Sequence, residues 1–478
     1  MIRAARVARV KLLAAAISAI VLSGCAGINF DNTLAKTNQD ISDFAPSKVA
    51  LAQTQDQRTA LDRAAAELLA KPLSQGDAVQ LALVNSPALQ ALLAQNFSDE
   101  ANAAQSGRIA NPVFTFEHLR FAGGVELGRL LSFGLLDLLT LPQRHGVAQR
   151  RIERAQLQLT SDVIDQVTQV RQAWVKAVAA QQSLIYAQQV NDAAQTSAEL
   201  ARRMQSVGNF SKLQRARQQA FYADAATQWA VAQHEATATR ERLVRILGLA
   251  DGQAQLLKLP NRLPDLPKAP RSPEEVSKAA SSGRLDIRLA QSAFESAART
   301  QGLNAVTSVT DIELGVRRDT VFDSAAGTTT QHRGYEVSVR LPLFDWGGLR
   351  RDAMNAQTLA EANRLEAAVR AAGSNLRESY SAYRTAYDIA RHYRDEVVPL
   401  RKTIAEENVL RYNGMLIGVF ELLADTKDQV SSVVAAIGAE QQFWLADAAL
   451  QASQMGKPTI AAVGAMAARS SGGGDAGH

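Results

Sequence analysis

The sequence is short of the residues that most often carry covalent or metal chemistry. It has one cysteine in 478 residues, so no intrachain disulfide and no multi-cysteine zinc or iron–sulfur site can form. Six histidines are scattered, at His118, His145, His234, His332, His392 and His478, with no pair four apart and no HExxH. GxSxG and P-loop motifs do not occur, and the GxGxxG spacing at Gly472–Gly477 falls in the Gly- and Ser-rich tail, from which no function is expected, so hydrolase, ATPase and dinucleotide readings lack support. The sequence therefore reads as a non-enzyme with no cofactor, no resident metal and no catalytic residue. Aromatics make up 5%, and 13 prolines and 29 glycines exclude collagen-like and proline-rich classes. The excess of positive charge is local. Arg3, Arg6, Arg9 and Lys11 account for four of 52 basic residues, and the remaining 48 face 47 acidic ones. A near-neutral chain lacks the footprint of phosphate-backbone binding, so no nucleic-acid partner is expected.

No apolar run approaches the roughly 20 residues that a membrane-spanning helix needs. The longest near the start, Leu12–Leu22, follows a basic, acid-free segment and fits the core of a secretory signal. Leu22-Ser23-Gly24-Cys25 then resembles a bacterial lipobox, with cleavage before Cys25 and lipidation of its thiol. An ordinary signal with an incidental cysteine is the alternative. Ala26 follows rather than an aspartate, so the inner-membrane retention signal of such lipoproteins is absent. Several acyl chains would anchor the protein stably.

What the chain does have is helix. No proline occurs between Pro142 and Pro260, and only Pro399 falls between Pro342 and Pro458. Both stretches are rich in good helix formers and exceed ordinary globular helices. Their apolar residues recur at alternating spacings of three and four, as in narrow coiled-coil seams. Val163, Val167, Val170, Trp174, Ala177 and Leu184 form one stripe; Leu365, Val369, Leu376, Tyr380, Tyr383 and Tyr387 form the other. These aromatics read as core. Each stretch breaks once, at Val207–Ser211 and at Asn413–Gly418, where glycine marks a turn. The expectation is a helix of about 60 residues, a turn and a helix of about 37, twice over.

The preceding segments match as well. Leu73–Gln95 reads as a helical pair turning at Asn85-Ser86-Pro87, and Pro273–Ala297 repeats the pattern about 200 residues later, an internal two-fold repeat. Short alternating segments follow each: Val113–Leu119 and Val125–Phe133, then Ile312–Arg317 and Tyr335–Leu341. An apolar face backed by a charged one suits either a membrane β-barrel or a half-buried soluble hairpin. Four strands cannot close a barrel, and lipid tolerates no open sheet edge, so a membrane location requires several chains. The organisation expected is a signal over 1–24, a lipid-anchored extension over 25–72 and a first repeat over 73–258 with strands at about 113–133. A proline-rich extended linker follows over 259–273, then a second repeat over 274–457 with strands at about 311–343, and a flexible tail over 458–478.

Over roughly residues 70–457 this constellation resembles the TolC-like outer-membrane factors, the exit ducts of Gram-negative efflux and type I secretion systems, and in particular their lipoprotein members. Leu341-Pro342-Leu343-Phe344-Asp345-Trp346-Gly347-Gly348, followed by Arg350 and Arg351, resembles the family's strand-to-helix corner, PLFDxGxxR. Arg411-Tyr412 and Leu422-Leu423 resemble its tip motif. The first-half corner, Leu141–Gly146, has no acidic residue, and the Leu-rich stretch 130–141 suggests that its strand ends early. At the tip, Met415 stands where the family usually has glycine, Glu421 where many members have an aspartate and Ala424 where many have a second, with Asp425 following one position late.

The resemblance implies a mainly α fold with a small β part. Long helices would form a coiled-coil barrel, and four strands per chain would contribute to a trimeric transmembrane β-barrel. It further implies a homotrimer in the outer-membrane lipid, with a large periplasmic part, a periplasmic adaptor and an inner-membrane pump as partners. Glu421 and Asp425, four apart on one helix face, are the candidate periplasmic gate; a solvated helix face is the alternative. Gly208, Ser211, Gly414 and Gly418 are candidate adaptor-docking tips, or serve turn geometry alone. Pro342, Asp345, Gly347 and Gly348 are the expected corner. A type I secretion duct of the same fold and a non-conducting periplasmic coiled-coil scaffold are the alternative functions.

Overall fold

The computed structural model describes residues 29–280, 283–307, 311–324 and 326–458. Cys25 and the tail beyond Pro458 lie outside the described residues. Two compact units are formed. The first takes residues 29–35, Gln95–Gln158 and Arg288–Ala368; the second takes Lys36–Ala94, Leu159–Ile287 and residues 369–458.

In chain order the elements are α1 (Phe30–Asp40), α2 (Gln55–Leu69), α3 (Gln75–Asn85), α4 (Pro87–Ser106), β1 (Val113–Phe121), β2 (Gly124–Gly134), α5 (Leu135–Leu139), α6 (Leu141–Ser206), α7 (Lys212–Leu247) and α8 (Asp251–Leu256). They continue with α9 (Pro273–Ala280), α10 (Leu285–Thr307), β3 (Ile312–Asp323), β4 (Thr328–Val339), α11 (Gly348–His392), a π segment (Tyr393–Val397), α12 (Val398–Asn413) and α13 (Val419–Gln454).

The doubled plan is explicit in the helix lengths. α6 has 66 residues and α7 has 36. In the second half, α11 with 45, the π segment with five and α12 with 16 together match α6, and α13 again has 36. The π segment has a local cause. Pro399 at the start of α12 has no N–H to donate to the preceding turn, and one widened turn absorbs the loss without ending the rod.

The helix ends repeat too. α7 closes on Gly248 (φ 69°) and α13 on Gly456 (φ 88°), both left-handed. Each makes the same pair of bonds: Gly248 N–H to Arg245 and Leu249 N–H to Val244, then Gly456 N–H to Ser453 and Lys457 N–H to Ala452. A Cβ on Gly248 would come within 2.4 Å of the Pro87 ring, and one on Gly456 within 2.7 Å of Asp286. Each glycine therefore serves both a left-handed turn and a close approach to the neighbouring helix pair.

In the first unit, β1 to β4 form one antiparallel sheet in the order β1-β2-β3-β4. In the second unit, Val163, Val167, Val170, Trp174 and Ala177 are 0–2% exposed, and the Trp174 indole donates to the Leu73 carbonyl at 2.8 Å. Leu184 is only half-buried. A second core gathers Leu266, Val276, Tyr383, Tyr387, Phe443 and Leu450. The phenols of this core also hold the proline-rich segment, which carries no helix between Leu256 and Pro273. Tyr387 Oη donates to the Pro267 and Lys268 carbonyls at 3.1 Å, Tyr380 Oη to Arg271 at 3.2 Å, and the Trp444 indole to Pro264 at 3.1 Å. The stripe is not buried along its whole length. Val369 is 50% exposed, with that part of α11 only partly covered by the described residues.

The N-terminal segment is built into both units. In the second, Arg171 stacks over the Phe44 ring at 4.5 Å and donates to Gln451 at 2.6 Å. Burial depresses the Arg171 guanidinium, and burial likewise raises the Asp447 carboxyl although Arg271 lies 3.2 Å away. In the first, Thr33 and Glu100 are buried together, with the Thr33 hydroxyl donating to Glu100 Oε2 at 3.0 Å.

Candidate functional site

The sheet of the first unit has two open edges. Among the described residues, β1 and β4 are each paired on one side only, over nine and 12 residues. Their outer backbone groups await partners, which makes such an edge a template for another strand. Nearly every residue of these two strands is exposed, including Phe114 at 64%, Phe116 at 58% and Tyr335 at 84%.

Cross-strand partners point to the same side, so the register sorts the side chains. One face carries Phe114, Leu131, Val316 and Tyr335 in a single row, with Phe133, Leu314 and Val337 in the next. Every acidic residue of the strands falls on the other face: Glu117, Glu126, Glu313, Asp319, Asp323 and Glu336. There Arg317 is clasped by three of them, at 2.9 Å from Asp319, 3.2 Å from Glu117 and 3.9 Å from Glu336. A sheet free of carboxylates on one side, with wholly apolar rows toward the helices, and carboxylate-rich on the other suits a wall between lipid and water.

The passage from strand to helix lies where the sequence motif suggests. β4 ends at Val339, residues 340–347 are neither strand nor helix, and α11 starts at Gly348. Pro342 is straddled by a bond from Leu343 N–H to the Leu341 carbonyl at 2.9 Å. Asp345 Oδ1 accepts from Gly347 N–H at 2.8 Å, and Gly347 takes φ 70°. In the first half, β2 ends at Gly134 and a five-residue helix precedes α6. The acid missing from Leu141–Gly146 is supplied from upstream: Asp137 pairs with Arg144 at 2.7 Å. Spacing alone could not reveal it, because α5 folds Asp137 back onto α6.

The two helical turns belong to the second unit, separate from the corner residues. They match position by position. Gly208 (φ 83°) and Met415 (φ 58°) fill the left-handed slot after the long helix; Met415 is the one non-glycine with positive φ among the described residues. Asn209 N–H donates to the Met204 carbonyl in one turn, and Leu416 N–H to Arg411 in the other. Three residues on, Ser211 and Gly418 are the N-caps of α7 and α13. Ser211 Oγ accepts from Gln214 N–H at 3.2 Å, and Gln214 Oε1 accepts from Ser211 N–H at 2.7 Å, a reciprocal capping box. Gly418 has no side chain to do this, and Glu421, the counterpart of Gln214, makes no cap bond. Gly414 ends α12 with an ordinary φ of −78°.

The two gate candidates differ. Glu421 is exposed, in the first turn of α13, with no hydrogen bond or ion pair among the described residues. Asp425 is half-buried and accepts a hydrogen bond from Asn408 across the helix pair. Neighbouring charges are also tied. Asp428 pairs with Arg401 at 3.0 Å, and Lys427 with Asp224 of the other hairpin at 3.7 Å, while Lys427 sits 5.3 Å from the Phe221 ring. Met415 and Leu416 at one turn and Val207 at the other are 94%, 74% and 70% exposed.

No group of three or more potential metal ligands occurs among the described residues, and no helix among them is long and apolar enough to cross a membrane. No family model and no curated protein matches the sequence. Solved structures do match. The Campylobacter jejuni CmeC outer membrane channel is similar with a TM-score of 0.67 and 13% identity, over 87% of this chain and 90% of that one. The open state of the Neisseria gonorrhoeae MtrE outer membrane channel gives 0.64 and 17%, over 82% and 89%. A membrane protein from Pseudomonas aeruginosa gives 0.67 and 17%, over 86% and 97%. The likeness is one of fold: it is the TolC-like fold, with long helices in a doubled plan and one four-stranded antiparallel sheet.

Proposed function

We propose that this chain is one subunit of an outer-membrane exit duct for a tripartite efflux system. Three copies close a twelve-stranded barrel, β4 of one chain pairing with β1 of the next. The observation that carries this reading is the sheet itself: two edges unpaired among the described residues, on a wall whose one side is acid-free with apolar rows toward the helices and whose other side is carboxylate-rich. In lipid, only closure satisfies those edges. A non-conducting scaffold has no use for such a wall.

In this duct the carboxylate face lines the lumen and attracts cations. Residues 340–347 mark the membrane boundary, where Leu341, Leu343, Phe344 and Trp346 are 65–99% exposed. The helices extend the passage into the periplasm. There the turns around Gly208–Ser211 and Gly414–Gly418 dock an adaptor hairpin, with Met415, Leu416 and Val207 as contact residues. The adaptor couples the duct to an inner-membrane pump, and the duct itself does no covalent chemistry. Glu421 supplies an acidic ring at the closed tip; Asp425, held by Asn408, supports the helix pair more than the ring. Cys25 carries the lipid anchor.

The edge-pairing claim is testable by cysteine scanning. Thr115→Cys in β1 should form an intermolecular disulfide with one or two positions in a cysteine scan of β4, giving species of two and three chains. Absence of any cross-link along all of β4 would contradict closure through these edges.

A further inference from the structure

The apolar face of the sheet has a charge pattern that the duct reading leaves unused. Arg129, Arg318 and Arg333 are cross-strand partners in one row, which continues to Phe116 on β1. Directly opposite side chains have Cβ atoms about 5 Å apart, and like charges so placed repel. No aspartate or glutamate lies on that face. Among the described residues, the one side-chain hydrogen bond made by these arginines reaches the next row, where Gln331 accepts from Arg318 Nη2 at 2.7 Å. Arg318 and Arg333 are exposed, and Arg129 half-buried. Three aligned cations without an acid on their own face require a counter-charge from outside the sheet.

The position of the row says what that charge is. Toward the helices, three rows are wholly apolar, from Phe114–Leu131–Val316–Tyr335 down to Ile312–Val339, and exposed Leu341, Leu343, Phe344 and Trp346 follow just beyond the end of β4. Six residues separate Ile312 from Arg318, which is about 20 Å along a strand. Toward the hairpins the rows turn mixed, with His118, Thr320 and Gln331 beside Leu127. The arginines thus sit where the apolar band ends. An arginine costs about 2–4 kcal/mol at the midplane of such a band and close to nothing at its rim. At the rim the fork of a guanidinium matches phosphate in two parallel hydrogen bonds.

We propose that Arg129, Arg318 and Arg333 form a binding site for the phosphate groups of an anionic membrane lipid, on the barrel's outer surface in the leaflet nearer the hairpins. The inference rests on the duct reading, which places this face in lipid. Bound phosphate cancels the repulsion along the row and fixes the barrel's depth in the membrane.

The test uses full-length protein in nanodiscs of phosphatidylcholine, with or without a minor fraction of bis-phosphorylated lipid A. The readout is lipid A retained per protein, measured by native mass spectrometry after exchange into lipid-free detergent. Wild type should retain lipid A over phosphatidylcholine. Arg129→Gln/Arg318→Gln/Arg333→Gln should lose about tenfold in retention, the worth of a single charged hydrogen bond or more. A control with equal charge change in the helical unit, Lys212→Gln/Arg262→Gln/Lys402→Gln, should retain it fully. Excess inorganic phosphate in the buffer should not displace the lipid. Equal retention in wild type and the arginine variant, or displacement by inorganic phosphate, would overturn the proposal while leaving the duct intact. Failure of wild type to enter any nanodisc would overturn the duct reading and this proposal together. Conductance of the arginine variant in neutral bilayers shows that its barrel forms.

Discussion

Replacing Glu100 by Gln tests how the N-terminal helix is docked. Glu100 on α4 is fully buried at 0% exposure. Its Oε2 accepts from Thr33 Oγ1 at 3.0 Å, and Thr33 Oγ1 in turn accepts from Gln156 Nε2 at 3.0 Å. Oε1 has no partner. Burial pushes the carboxyl from 4.5 up to about 7, against the weaker opposing pull of the Thr33 hydrogen bond. The native state therefore keeps a proton that the unfolded segment releases. Below pH 4.5 both states are protonated and no penalty exists. Between pH 4.5 and about 7 stability falls, and above pH 7 the loss levels off at about 3 kcal/mol.

Glu100→Gln removes the titration and leaves the shape. A buried acceptor without a partner, Asn96 Oδ1, lies one turn away for the new amide. Hydrogen exchange over α1 and α4 reads the opening, corrected for the intrinsic pH effect. Wild type should open about two orders of magnitude more readily at pH 8 than at pH 4.5, and the variant should show little difference. At pH 8 the variant should be the better protected. Equal pH dependence in both proteins, or a variant less protected at pH 8, would refute the reasoning.

Other expectations concern the turns and the linker. Met415→Gly should relieve the left-handed strain, stabilising the second turn by about 1 kcal/mol, seen as slower exchange over residues 410–418. Gly418→Ser should complete a capping box with Glu421 and add about 0.3–0.5 kcal/mol; by tying down Glu421 it should also weaken cation block of single channels. Glu421→Ala should lower the block by trivalent cations more than Asp425→Ala does, and equal effects would place the ring elsewhere. Tyr387→Phe leaves the Pro267 and Lys268 carbonyls without their donor, and should cost about 1–2 kcal/mol in thermal or denaturant unfolding.

Much of the fold is legible in the sequence because its signals are periodic. Proline spacing and the three–four stripe locate the rods, and glycine marks both turns. Alternation finds the strands: β1 and β2 occupy Val113–Phe121 and Gly124–Gly134, close to the segments expected. What stays hidden depends on partners distant in sequence. The π segment before Pro399 is invisible because the rod runs on through the proline. The phenols of Tyr380 and Tyr387 read as plain core, while their hydroxyls hold a linker more than 100 residues earlier. The arginine row needs the register of β2, β3 and β4, which no single strand encodes. At the tip, spacing puts Glu421 and Asp425 on one face but cannot tell the free carboxylate from the one held by Asn408.

The central claim is that open sheet edges close between copies into a conducting barrel. The most direct measurement is the mass of the purified particle by native mass spectrometry, paired with single-channel recording of the same preparation. The account predicts a particle of three chains that opens discrete, cation-preferring conductances in planar bilayers. A stable single-chain particle, or a three-chain particle that never conducts, would contradict it.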